Sequence, residues 1–399
     1  MNDTIKKTVL TAAEYKARVR AGTPPTPGEV DVVTCGTFGI MSGTSAVLSF
    51  PAAPAGTFTR AESLTLNGVP ASIGPCPNER NGHVDCVVFG TSVSVADRRY
   101  SGGHLFRDLA AEQPVHAKIT TDTGVIEKDI TVSEMTCARL LVTRGAFKNY
   151  TAFVNAAAEP METIFSVVPV PSGKTGATFS GCGEINPLEN DPSLRFHKAG
   201  KPVLVNGAPG VLLGTGTRSS AAKPNLSAAA DIRGMHPNLM GGFSYPSGAE
   251  CLTSIATAIP VADAEAAAAL SVLDEDIPLP IADVADRIPF DAATYADAWA
   301  GDARVKTHPE NCTNNCDECA VTLCPNSAIT PDRHISGSCM GCLTCVFVCP
   351  NKVFEAARGT LHGKTGDYPV ILRQSDRVRG NAAAALLKKF ILDGAWEEF

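Results

Sequence analysis

Three features are missing from this sequence, and each removes a class of function. No apolar run reaches the roughly 18–20 residues that a membrane-crossing helix needs. The opening stretch MNDTIKKTVLTAAEYKARVRAG has no apolar segment ahead of a cleavage site, so the expectation is a cytoplasmic protein with no membrane partner. Basic residues are in deficit: 34 Lys and Arg against 41 Asp and Glu leave a net charge of -7, with no electrostatic footprint for nucleic acid. Complete phosphate-binding loops are also absent. Ser172-Gly173-Lys174-Thr175 ends like a P-loop, but Val168 stands where the first Gly belongs; ahead of Gly363-Lys364-Thr365 that place is taken by Arg358. Gly214-Thr215-Gly216 lacks a third Gly and has Ser219 there instead. Apart from a doubled cysteine run, no repeat of domain-building length is present.

What remains is a chain of 399 residues, 44% apolar and 19% charged, which fits a globular protein of two or three domains. Residues 1 to about 260 alternate strand-like runs such as VDVVTCGTFGIM, HVDCVVFGTSVSV and KPVLVNGAPGVLLGTG with Gly, Pro and Asn punctuation. This pattern predicts an α+β (or α/β) large domain, sheet-rich, over 1–302. Helices are expected near Thr11, from Gly103, and from Ser133 through SEMTCARLLVTRGAFKNYTAFVN. Within the large domain, 261–302 turns Ala-rich, with ten acidic residues against one Arg, Arg287, and reads as an exposed connector. A small cysteine domain follows over 303–356. A strand-and-helix tail over 357–399 is expected to pack back on the large domain.

Fourteen cysteines are present, eight of them between positions 312 and 349. A long chain without a leader has little use for disulfides, so metal ligation is the reading. Cys339-x2-Cys342-x2-Cys345-x3-Cys349-Pro350 has the spacing of bacterial ferredoxins, and Cys312-x3-Cys316-x2-Cys319-x4-Cys324-Pro325 is a stretched copy. Three thiolates of one run can wrap one cubane while the cysteine before proline serves the other. The pattern therefore predicts two [4Fe-4S] clusters, one on Cys312, Cys316, Cys319 and Cys349, the other on Cys339, Cys342, Cys345 and Cys324. A pair of four-thiolate zinc sites is the alternative.

Of the six remaining cysteines, Cys86 sits in an apolar strand and reads as core. Cys76 and Cys182 lie among Gly, Pro and polar residues, in loops expected to expose a thiol and aim N–H groups at it. Cys137 lies on a helical pattern near Arg139 and Arg144. These three are the candidate catalytic thiols, with Cys182 first because Gly181 and Gly183 flank it. Two anion-binding candidates complete the set: His104 with Arg107 at a helix start, and Arg373 with Arg377 between a strand and a helix.

The segments DVVTCGTFGIMSGT, SGGHLFRDL, GCGEINPLENDP, HPNLMGGFSYPSGAECLTSIATAIPV and VILRQSDR resemble the homocysteine biosynthesis (HcyBio) family. The ferredoxin-like appendage makes the chain most similar to the methanogenesis marker 16 metalloproteins. The resemblance implies a cytoplasmic protein of an anaerobic, methanogenic archaeon. It also implies an L-aspartate semialdehyde sulfurtransferase activity that yields L-homocysteine. Partners so implied are a small aldehyde substrate, a sulfide or persulfide donor and an external low-potential electron donor, with oligomerisation left open. A reading from another class stays beside it: an electron-transfer or metallocofactor-maturation protein whose large domain binds a partner.

Overall fold

The computed structural model describes residues 7–74, 79–148, 150–299, 304–314, 316 and 319–396. The body is an antiparallel-dominated sheet of 14 strands. Toward one edge the long strand Gly248–Pro260 runs antiparallel to Val32–Ile40, which pairs in turn with the short parallel edge strand Val9–Thr11. Helix Ala12–Arg20 leaves that edge under a capping box in which Thr11 and Glu14 satisfy each other's backbone N–H. Alternation decides most of the sheet. In Thr44–Pro51, Ala46, Leu48 and Phe50 point inward and are fully buried while Val47 faces solvent.

The same periodicity overturns the helix expected from Ser133. Cys137–Phe147 is a strand between Thr44–Pro51 and Asn225–Asp231, with Ala138, Leu140 and Val142 buried and Arg139 exposed. Its aliphatics recur every second residue, and two neighbouring edges supply the ladder that a helix would have made within itself.

A second sheet of six strands stands beside the first, built from Ala152–Val154, Ala177–Phe179, Pro278–Asp283, Pro289–Thr294, Thr360–His362 and Asp367–Arg373. Two of these strands come from 261–302, which is therefore not an exposed connector. Leu279 and Ile281 are fully buried, and Tyr295 nearly so. The acidic side chains that made the stretch look solvated are structural. Asp263 caps the helix Ala264–Leu270, and Asp291 accepts the N–H groups of Lys364 and Thr365.

The C-terminal strand Asp367–Arg373 lies parallel to Ala177–Phe179 in this second sheet. Helix Arg377–Leu392 then crosses back onto Val32–Ile40 and Gly248–Pro260 of the first. That crossing is close: a Cβ on Gly36 would sit 2.1 Å from the Gly380 carbonyl oxygen, so only glycine admits the helix. The cysteine segment forms a lobe tied by the two-stranded pairing of Lys306–Thr307 with Phe354–Glu355 and by helices Ala320–Leu323 and Thr344–Val348. Among the described residues no helix is long and apolar enough to cross a membrane.

Candidate functional site

The cysteine lobe encloses two cavities, each lined by one quartet of thiols. Cys324, Cys339, Cys342 and Cys345 line a void of about 350 Å³ whose remaining walls are mostly apolar, including Ile329, Met340 and Leu343. Cys312, Cys316, Cys319 and Cys349 line another of about 310 Å³. Each set thus mixes three cysteines of one run with the proline-flanked cysteine of the other. In the first quartet the backbone N–H of Ala328 donates to Cys324 Sγ at 3.2 Å and that of Gly341 to Cys339 Sγ at 3.4 Å. Burial pushes the Cys342 thiol up to about 12. Without a cation such thiols stay protonated, and a bound metal centre is what converts them to ligands. The donor chemistry of both cavities fits an iron–sulfur cluster, whose sulfurs accept N–H bonds of this kind. Among the described residues no three His, Cys, Asp or Glu converge to hold a single metal ion.

His104 and Arg107, expected to grip a substrate carboxylate, grip the cysteine lobe instead. The His104 imidazole is buried, accepting from the Ser101 N–H at Nδ1 (3.1 Å) and donating from Nε2 to the Pro325 carbonyl at 3.0 Å. Burial pushes its pKa down to about 3, with Arg107 adding to the effect, so the ring is neutral. Arg107 donates to both the backbone carbonyl and the side-chain oxygen of Asn326, at 2.9 and 3.0 Å. Asn326 in turn accepts from the Gly242 N–H and donates to Ser338 O. A Cβ on Gly241 would strike Asn326 and one on Gly242 would strike the His104 ring. The motifs around SGGHLFRDL and LMGGFSYPSG are thus the two jaws that hold the turn after Cys324.

Arg373 and Arg377 do converge. Each guanidinium carbon lies 4.8 Å from the Trp299 ring centroid. Arg373 is fully buried and donates one bond, to Ala357 O at 3.0 Å; its Nε and Nη1 have no partner, nor do Arg377 Nε and Trp299 Nε1. Burial pushes Arg373 down to about 10, with the Asp376 carboxylate opposing the effect and Arg377 adding to it. Three unmet guanidinium N–H groups and the unmet indole N–H thus gather at one ring, a candidate cradle for an anion because donors left unmet in the interior are costly.

This cradle joins the other candidate groups. The Arg373 N–H donates to the Cys342 carbonyl at 2.9 Å, and Arg377 Nη2 donates to the Cys182 carbonyl at 3.0 Å. Arg377 is oriented by Asp274, with contacts of 2.6 and 2.8 Å. Asp274 and Glu184 exchange backbone N–H bonds with each other's carboxylates, and Arg20 closes the network on Glu184.

Cys182 is not the exposed thiol the loop composition predicts. It is fully buried, and its Sγ donates toward the carbonyl oxygens of Phe38 (3.5 Å) and Asp376 (3.8 Å). Burial pushes its thiol up. Its glycines have conformational reasons. Gly181 and Gly183 have φ of +102° and +57°, and a Cβ would meet the Tyr295 hydroxyl at 2.3 Å or Asp274 Oδ1 at 2.1 Å.

Cys137 lies elsewhere, part-exposed on its strand against Val47 O. Cys76 lies outside the described residues. Cys35, Cys86 and Cys251 are core. Sequence reasoning missed Trp299, Tyr295 and Asp274 because all three lie in the stretch read as a connector. The signal was available in the aromatic pair of YADAW. An open cavity also follows the seam between body and lobe, lined by Arg98, Arg99, Ser244 and Tyr245 next to Cys324.

A sheet-rich α+β body that clamps a cysteine lobe against a buried thiol and an arginine pair defines the class by its geometry. The chain matches the family described as "Homocysteine biosynthesis enzyme, sulfur-incorporation" over residues 7–397, and it belongs to that family. It is 44% identical to an uncharacterized protein of Methanothermobacter thermautotrophicus, across 97% of this chain and 90% of that one. With an uncharacterized protein of Methanocaldococcus jannaschii it shares 38% identity across 98% of both. It is also 29% identical to the L-aspartate semialdehyde sulfurtransferase of Methanosarcina acetivorans, across 73% of this chain and 60% of the relative. No solved structure matches it.

Proposed function

We propose that this protein incorporates reduced sulfur into L-aspartate semialdehyde to give L-homocysteine in a reducing cytoplasm, with the Arg373–Arg377–Trp299 cradle and Cys182 as its site. The observation that carries the reading is that the backbone of one arginine is bonded to Cys342 and the side chain of the other to Cys182. Family membership and sulfurtransferase-named relatives supply the reaction class.

The overall change converts an aldehyde and hydrogen sulfide, with two electrons and two protons, to a thiol and water. Both cysteine quartets would hold [4Fe-4S] clusters, which supply electrons singly. The chain's own groups do the rest. Arg373 Nε and Nη1, buried and without a partner, take the substrate carboxylate. Cys182 carries the incoming sulfur as a persulfide, more acidic and more nucleophilic at neutral pH than the buried thiol. The terminal persulfide sulfur adds to the carbonyl carbon. Two electrons and two protons then cleave the S–S bond and return Cys182 as a thiol. Loss of water leaves a thiocarbonyl, and two further electrons and protons give the product thiol. Cys182 is loaded by a persulfide donor, which passes on its outer sulfur and leaves as a thiol; that sulfur is two electrons more oxidised than in hydrogen sulfide, so this route takes up four electrons and four protons in all.

The test is Cys182→Ser in anaerobically purified protein. Wild type is expected to carry iron and acid-labile sulfide at four each per quartet, to gain the mass of one sulfur atom on Cys182 after persulfide treatment, and to form homocysteine. The variant is expected to keep its iron and lose product. Full product formation in the variant would remove Cys182 from the chemistry, and iron without any product in wild type would favour the electron-transfer reading.

A further inference from the structure

Beside Cys349 the lobe carries an open groove with about 1570 Å³ of space, lined by Arg304, Lys306, Lys352 and Arg358 around the exposed ring of Phe347. Glu355 is its one acidic lining residue. Four cations in a single groove stand out on a chain whose net charge is -7. Each of them is exposed, and the body contributes no residue to this wall. Groove and outer cavity share Cys349 and Phe354, so whatever sits in the groove lies against the quartet of Cys312, Cys316, Cys319 and Cys349.

We infer that this groove is the docking surface for a small acidic electron-carrier protein, whose reduced centre passes one electron at a time to the outer quartet. The inference rests on the reading of that quartet as a cluster site. Charge complementarity selects the partner. A ring of carboxylates around an exposed redox centre would be drawn to this groove and repelled by the rest of the acidic surface, which steers encounter to one face and makes its rate sensitive to salt. Phe347 supplies the desolvated contact at the middle of the charged rim.

The experiment compares wild type with the triple variant Lys306→Glu, Lys352→Glu and Arg358→Glu, using an acidic bacterial two-cluster ferredoxin as protein donor and dithionite as small-molecule donor. At low salt the variant is expected to bind the ferredoxin and be reduced by it roughly ten- to a hundredfold less well. Its iron content and its reduction by dithionite should be unchanged, and added salt should erase the difference. Equal binding and equal, salt-insensitive reduction in the two proteins would overturn the docking assignment. So would a wild-type dimer in sedimentation that the variant breaks, because a second copy would then occupy the groove. Absence of iron from wild type would sink the cluster reading by itself, while the binding titration still decides the groove.

Discussion

Cys324, Cys339, Cys342 and Cys345 sit where the lobe meets the body, with His104 and Arg107 gripping the turn after Cys324 and Arg373 bonded to Cys342. Cys312, Cys316, Cys319 and Cys349 sit on the far side of the lobe, all four part-exposed and bordered by a basic groove. The two runs have nearly the same rhythm in sequence, yet one quartet is inserted into the fold and the other is presented to solvent. That asymmetry gives a direction. Under the function proposed above, electrons would arrive at the exposed quartet and leave from the clamped one, beside Cys182, the one catalytic-thiol candidate among the described residues that is bonded to the arginine pair.

The largest difference should appear on removing one ligand from each side. Cys345→Ser strips a buried residue that packs with Val353, Phe354 and Ile329. It is expected to cost more than about 4 kcal/mol as the metal centre and its packing are lost together. Cys316→Ser should cost less than half as much. Thermal unfolding monitored under anaerobic conditions, with iron counted alongside, checks this; equal destabilisation would mean that the two quartets are equally integral to the fold.

Next in size is the cradle. Arg373→Met removes the partnerless buried donors and should lower kcat/KM by roughly 30- to 1,000-fold, about 2–4 kcal/mol, with iron content intact. Arg98→Ala and Arg99→Ala in the open seam cavity should change it less than about threefold. A reversed order would move the substrate carboxylate to the seam. Gly183→Ala sharpens the same side, because φ of +57° and the 2.1 Å approach to Asp274 Oδ1 together should cost about 1–3 kcal/mol in urea unfolding.

The smallest effect concerns pH and the clamp. His104 is held neutral with its pKa pushed down to about 3, below the unfolded value near 6.5. The unfolded chain therefore binds a proton that the folded chain refuses, and this contribution to stability is full above pH ~6.5 and falls as pH drops toward 3, by up to roughly 1.4 kcal/mol per pH unit. His104→Gln, which keeps a donor toward Pro325, should flatten that slope in melting curves taken between pH 7 and 5. An unchanged slope would place the acid-sensitive group elsewhere.

The cysteine quartets were legible because ligand spacing is local: three thiols within one short loop declare themselves without knowledge of the fold. The arginine pair was legible for the same reason, lying at a strand end and a helix start. Its companions were not. Trp299 and Asp274 reach Arg377 across 78 and 103 positions of sequence, and the acidic residues around them read as solvated charge, although Asp263 and Asp291 cap and tether. His104 and Arg107 carry the residue types of an anion site, and only the tertiary path of the cysteine lobe shows that their acceptors are carbonyl and amide oxygens of the chain itself. The Ser133 segment failed through period: its buried residues alternate, a pattern that its helix-forming Ala, Arg and Leu residues conceal.

The division of labour between the quartets is tested most directly by homocysteine formation driven by dithionite, which needs no docked protein, in Cys316→Ser and Cys342→Ser side by side. The account predicts that Cys316→Ser, with half the iron, retains most of the dithionite-driven turnover while Cys342→Ser retains none. Equal loss in both variants, or survival of turnover in Cys342→Ser, would contradict it.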